Sequence, residues 1–345
     1  MVHCLPFRLV CSLALTYAVL GAPTAATALA QASQAGGVRP MTARDVARVR
    51  SVSEAAIHPD GSMIAYTLSV PREPGRDEDG PAWSELHVVA FDGGEDRPFV
   101  TGEVNVSHIR WSPDGNHLAY LAKRNGDTSQ AIYVIPAAAG ESVRLVTHET
   151  DIAAFDWRPG GRAIAFVATE PVPADVADLK DKGFKQEVYE EDRQARRVYV
   201  VDMPQGAAGP AGEIRVLDGL PGHAWHVAWS PDGGRLLVDL APTPLIDDRY
   251  MARRLHVIDV ATGVVVAQIE NPGKLGEFRW SPDGRTVALV SATDIHDPRE
   301  GRLMVAPASG GELRDLLPDF EGHVEQVRFT GNGTIVYLAS VGVGS

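Results

Sequence analysis

Cysteine is nearly missing from this sequence: Cys4 and Cys11 are the only thiols in 345 residues, and both lie within the first thirty. Without that segment the chain can form no disulfide and offers no thiolate nucleophile or metal ligand. Long apolar runs are missing too. The stretch 9–22 is too short to span a membrane, and no later segment reaches 18 uninterrupted apolar residues. Positive charge is in deficit, with 32 Lys and Arg against 45 Asp and Glu, a net charge of −13 that argues against nucleic acid and anionic lipid as partners. Several catalytic signatures are absent: G-x-x-x-x-G-K-S/T, G-x-G-x-x-G after a strand, H-E-x-x-H and G-x-S-x-G. Ser142 has Gly140 two residues before it but Arg144 two after, in a polar turn. The chain as it stands is therefore expected to carry no catalytic residue, no metal site and no cofactor.

The first thirty residues read as a secretory signal. Arg8 is their only Lys or Arg, an apolar run follows, and Ala28-Leu29-Ala30 is a small-residue cleavage site before Gln31. The expected location is the periplasm or the outside of the cell, after cleavage near Ala30, with no membrane attachment afterwards. Residues 31–40 read as a linker.

Glycine (34) and proline (24) are plentiful, which favours short strands and turns. They recur in a repeat. IHPDG starts at Ile57, WSPDG at Trp111, WRPGG at Trp157, WSPDG at Trp229 and Trp280, and a worn FTGNG at Phe329. Steps of roughly fifty residues suit a four-stranded propeller blade. An apolar strand follows each phrase, at 63–68, 117–122, 163–168, 235–240, 286–291 and 334–339, and most repeats supply another apolar strand after it, such as those starting at Leu86, Ala131, Val198 and Leu255.

The phrase itself has a physical reading. Pro fixes φ at the first corner, Asp114, Asp232 and Asp283 accept backbone N–H groups, and Gly115, Gly233 and Gly284 take a positive φ. Together they specify a hairpin with a bulge. Trp111, Trp157, Trp229 and Trp280 supply equivalent apolar surface where neighbouring sheets pack. The predicted fold is an all-β propeller of four-stranded blades over 41–345, with six repeats visible, the last one incomplete, and a short helix ahead of the first.

These repeats resemble TolB-type propeller repeats, and the chain from Met41 onward resembles the N-terminal propeller of the prolyl oligopeptidase family of serine peptidases. It is most similar to the exported acylaminoacyl-peptidase and dipeptidyl-peptidase-like members, on the opening phrase MTARDVARVRSVSEAAIHPDGSMIAY. The resemblance implies that the catalytic α/β-hydrolase domain is absent from this chain. It also implies a propeller that covers an active site, excludes folded proteins and helps to anchor peptides.

One charged insertion, 170–197, interrupts the repeat with eight acidic and six basic side chains. Its Gly183-Phe184 followed by Val188-Tyr189-Glu190-Glu191-Asp192 resembles the segment with which dipeptidyl peptidases hold a peptide amine. On that resemblance Glu190 and Glu191 form an amine clamp, with Asp192 as a substitute. Read from the residues alone, the insertion is equally a solvated, charge-mixed surface helix.

The histidines give no ligand pattern. His223 and His226 flank Trp225 at the entry to a strand and read as strand or loop surface, while His108, His148, His256 and His323 lack partners at ligand spacing. Asp247-Asp248 and Asp294-His296-Asp297 read as turn chemistry. The expected function is that of the propeller of an exported serine exopeptidase or oligopeptidase, with peptides as partners. The alternative is a TolB-like periplasmic propeller that binds a protein partner and performs no chemistry. A site in the propeller's own channel would require a converging ring of His, Asp or Glu, which no single motif reveals.

Overall fold

A computed structural model describes residues 39–138, 140–188, 193–298 and 300–342. The expected signal, 1–30, and the clamp residues Glu190, Glu191 and Asp192 lie outside the described residues. The chain divides into two units, Met1–Val46 and Ala47–Ser345. In the first, helix α1 (Ala43–Val46) is the short helix expected ahead of the repeats. Thr42 caps it: its Oγ1 accepts the Asp45 N–H at 3.3 Å, and its own N–H and Oγ1–H donate to the Asp45 carboxylate.

The second unit is a β-propeller with five four-stranded antiparallel blades. Blade one holds β1 (Ser51–Ile57), β2 (Met63–Val70), β3 (Trp83–Ala90) and β4 (Arg97–Val100). Blade two holds β5 (Ser107–Trp111), β6 (His117–Ala122), β7 (Ala131–Pro136) and β8 (Val143–Val146). Blade three holds β9 (Ile152–Trp157), β10 (Ala163–Thr169), β11 (Arg196–Asp202) and β12 (Ile214–Val216), with helix α2 (Ala174–Asp181) between β10 and β11. Blade four holds β13 (His223–Trp229), β14 (Arg235–Ala241), β15 (Arg254–Asp259) and β16 (Val265–Ile269), with helix α3 (Ile246–Met251) between β14 and β15. Blade five holds β17 (Leu275–Trp280), β18 (Thr286–Ser291), β19 (Arg302–Pro307) and β20 (Arg314–Asp315). The sixth repeat is a two-stranded sheet, β21 (His323–Gly331) with β22 (Thr334–Ser340), so six repeats yield five blades and one hairpin.

Each blade's strands pair in chain order, and the first strands meet their counterparts in neighbouring sheets: β1 with β5, β5 with β9, β9 with β13, β17 with β21. The first strand of each sheet is thus the inner one. Apolar clusters lie between sheets, as the repeated aromatics required. Trp111 packs with blade one, Trp229 with blade three and Trp280 with blade four. The second strands of blades two and three are covered on both faces: β6 and β10 are buried almost throughout, and their Tyr120 and Phe166, with Phe155 of β9, are fully enclosed. Burying a side chain of this size stabilises by about 1.5–3 kcal/mol. The outermost sheets are less protected. Val52 and Ile57 of β1 and Val336 and Leu338 of β22 are exposed.

The turn phrase behaves as its residues dictate. In the three WSPDG copies the serine hydroxyl donates to the aspartate and accepts the N–H that closes the loop: Ser112 from His117, Ser230 from Arg235 and Ser281 from Thr286. The aspartates also accept a backbone N–H two residues on, and Gly115, Gly233 and Gly284 have φ of 72°, 69° and 66°. The bulge expected at this turn is elsewhere. Trp111, Trp229 and Trp280 pair in register beside the turn, and the register slips one to five residues earlier, between Ser107 and Arg110, Ala224 and Val227, and Leu275 and Phe278.

The tryptophans also do more than pack. Trp111 Nε1 donates to Ala56 O (3.0 Å), Trp229 to Asp156 O (3.2 Å) and Trp280 to Ala228 O (3.1 Å), each acceptor one residue before the first residue of the preceding sheet's turn phrase, Ile57, Trp157 or Trp229. Trp157 breaks the series, its buried Nε1 having no acceptor.

Candidate functional site on the loop face

Antiparallel pairing in chain order sends all first-to-second-strand turns to one end of the propeller. The described residues of the segments 71–82, 123–130, 170–195, 242–253 and 292–301 therefore gather at the other end. These are the long, dissimilar connections, and α2 and α3 both belong to them. Binding groups concentrate on such loops over a rigid scaffold.

The inner strands approach this end through a repeated irregularity. Register shifts occur at Val52/Glu54 in β1, Ser107/Arg110 in β5, Ala224/Val227 in β13, Leu275/Phe278 in β17 and Val324/Gln326 in β21, and β9 slips opposite Val167/Ala168. A bulge re-aims the side chains around it. At His108 the backbone takes a φ of 51°, unusual outside glycine. Counted back from the first residue of each turn phrase (Ile57, Trp111, Trp157, Trp229, Trp280 or Phe329), the residue three before is Glu54, His108, Ala154, His226, Glu277 or Gln326, and the residue one before is Ala56, Arg110, Asp156, Ala228, Arg279 or Arg328.

Most of these polar residues engage one another across sheets. Arg110 Nη1 donates to Glu54 Oε1 at 2.9 Å, linking blades two and one. Glu277 accepts Arg279, Arg328 and the Val327 N–H, linking blade five to the hairpin. Asp156 accepts the N–H groups of Trp157 (3.0 Å) and Trp229 (2.8 Å), and burial, opposed by those bonds and by Arg110 and Arg279, pushes its carboxyl up. Burial and then Arg328 bring Arg279 down to about 10. Burial, Arg110 and His226 bring His108 down to about 4, so its ring is neutral at pH 7. Charged groups of blades two to five and the hairpin thus converge near the axis.

His226 is the most organised of them. Its Nδ1 lies 2.9 Å from Asp239 Oδ2, its N–H bonds Asp239 Oδ1, and Arg253 Nη1 donates to Oδ2 at 2.6 Å. Asp239 is 0% exposed; burial works to raise its pKa, and His226 and Arg253 more than reverse that, holding it below the usual carboxylate range. The His226 side chain is 49% exposed. Such a carboxylate fixes the imidazole's orientation and leaves Nε2 as the outward nitrogen. Among the described residues no group of three His, Cys, Asp or Glu side chains can hold a metal.

Other sequence candidates are placed as follows. His223, half-buried, accepts the Arg196 N–H through Nδ1 at 3.2 Å. Asp248 accepts Thr243 Oγ1–H at 2.6 Å, and Asp294 accepts the His296 N–H at 2.6 Å, local contacts of the kind turn chemistry leads one to expect. The Asp239–His226–Arg253 group was missed because Asp239 lies within an apolar strand and finds His226 only through the bulge. Stacking the six repeats on their aromatics would have exposed the charged columns.

No known protein-family profile matches the chain. It is 32% identical over 90 residues to the uncharacterized peptidase YuxL of Bacillus subtilis (strain 168), a match covering 26% of this chain and 13% of that protein. Among solved structures it superposes on the acylaminoacyl peptidase of Pyrococcus horikoshii with a TM-score of 0.55 and 13% identity, over 86% of this chain and 44% of that one. It also superposes on a TolB-type protein of Agrobacterium tumefaciens with a TM-score of 0.50 and 16% identity, over 77% and 80% of the two chains. The fold is the propeller they share. The TolB-type and peptidase propellers are thus both relatives in architecture, and the chain spans less than half of the peptidase.

Proposed function

We propose that this chain is the substrate-facing propeller of an exported serine exopeptidase or oligopeptidase, admitting peptides at the loop face. The observation carrying this reading is the 90-residue match, at 32% identity, to the Bacillus peptidase. The charged columns support it chemically, since paired carboxylates and guanidiniums suit the termini and backbone of a peptide. In this reading Glu190, Glu191 and Asp192 hold the substrate amine, and hydrolysis belongs to a G-x-S-x-G domain outside this sequence. In the same reading the N-terminal segment directs export to the periplasm or the outside of the cell.

The test is made in the longer enzyme. Glu190→Gln or Glu191→Gln removes one charged contact of about 1.5–3 kcal/mol, lowering kcat/KM for a free-amine peptide roughly 10- to 100-fold and leaving an N-blocked analogue nearly unchanged. Equal losses on both substrates would sink the clamp. The chain alone is expected to take no label from a fluorophosphonate.

A second reading, a TolB-like binding propeller without chemistry, draws on the match that spans 80% of the TolB-type chain. Co-purification of a stoichiometric protein partner, with no peptide binding, would favour it.

A further inference from the structure

On the loop face, beside the His226–Asp239 pair, two arginines share one indole. The guanidinium carbon of Arg196 lies 4.1 Å from the Trp225 ring centroid and that of Arg249, on α3, lies 4.5 Å from it. Neither makes an ion pair among the described residues, although the chain is strongly acidic overall. Their neighbours are already satisfied: Arg197 pairs with Glu170 at 2.9 Å, and Arg253 with Asp239. Two donors at the same place lack an acceptor. Trp225, 9% exposed, has its Nε1 buried without a partner, and so has Arg196 its Nε. A buried donor left unpaired costs about 1–3 kcal/mol, so one such donor calls for an explanation and two side by side call for a shared one. The local field is cationic by a second measure: after burial, Arg197 and Arg193 are the main causes that lower the pKa of His223. Burial and Arg249 likewise lower that of Arg196.

We infer that Arg196, Trp225 and Arg249 form a carboxylate-binding site. An oxyanion would supply the missing acceptor, relieve the repulsion between two guanidiniums, and be gripped by planar forks that match a carboxylate's two oxygens. A peptide presents this chemistry as its C-terminal carboxylate or as an Asp or Glu side chain. The inference rests on the peptide reading above for the carrier only; the donor arrangement stands without it.

The experiment follows the Trp225 indole N–H by NMR in this chain, assigned by its disappearance in Trp225→Phe. Tri-alanine, its C-terminal amide, N-acetyl-glutamate amide and inorganic phosphate are titrated separately. Tri-alanine or the acetyl-glutamate derivative should shift this resonance, and the amide should not; which of the two carboxylates acts identifies the source. Arg249→Gln, a change at an exposed position, should weaken binding roughly ten-fold or more, with Arg249→Lys between it and the parent. No shift with either carboxylate, an equal shift with the amide, or tighter binding of phosphate would overturn the assignment. So would binding that appears only after Glu190, Glu191 and Asp192 are all made amides, since the chain's own carboxylates would then occupy the site. Failure of the amine clamp with carboxylate binding retained would leave this inference intact.

Discussion

The two ends of the propeller are built by opposite rules. At the turn end, WSPDG closes each loop with the same hydroxyl, the same carboxylate and the same left-handed glycine, so three blades solve one local problem identically. At the loop end no two connections are alike, and the inner strands arrive with bulges that bring Glu54, His108, His226 and Glu277 to one level. Repetition secures the scaffold, and departures from it carry the chemistry. The division is incomplete, because the loop end holds a buried ion cluster on which stability should also depend.

The largest expected effect tests that exception. Asp239→Ala leaves Arg253 and the His226 N–H without their acceptor inside the fold, and should cost about 3–5 kcal/mol in urea unfolding. Because Asp239 is held below its ordinary pKa, it contributes stability above the unfolded value of about 4, and this is lost as pH falls through the lower folded value. A loss below 1 kcal/mol would return the cluster to the category of surface decoration.

A smaller effect separates two tryptophans that look equivalent in sequence. Trp280→Phe removes a bond to Ala228 O, whereas Trp157→Phe removes a buried donor that has no acceptor. The first should cost about 1–3 kcal/mol more than the second by thermal or denaturant unfolding. Equal costs would mean that the inter-blade bond adds nothing to packing.

The smallest is a titration. His108 should protonate with a midpoint near 4 by NMR, and Arg110→Gln should raise it only part of the way back, because burial is the leading cause. The sign follows: a histidine with a lowered folded pKa contributes stability above about 6.5, lost progressively as pH falls toward 4. A midpoint at the ordinary value would place the ring in open water.

Local chemistry was legible in the sequence, and register across sheets was not. The second strand of every repeat fell within a residue or two of its observed bounds, since a Pro-Asp-Gly turn and an alternation of apolar residues are both short-range signals. Those same signals could not show that Trp229 bonds to a carbonyl 73 residues earlier, or that Asp239 pairs with a histidine brought over by a bulge. Six repeats of sequence correspond to five four-stranded blades and one two-stranded hairpin, the incomplete last repeat. His226, read as strand surface, is an anchored imidazole, because strand periodicity says nothing of what a neighbouring strand presents.

Every sheet consists of strands consecutive in the sequence, and no described strand crosses into another blade. Under tension applied across the propeller, no strand among the described residues is shared between sheets to lock them. The propeller should peel one sheet at a time, each releasing roughly fifty residues, or about 170 Å of contour at ~3.4 Å per residue. A force trace would then show a staircase whose tread length is the repeat of the sequence, with a longer tread where 170–197 is reeled out.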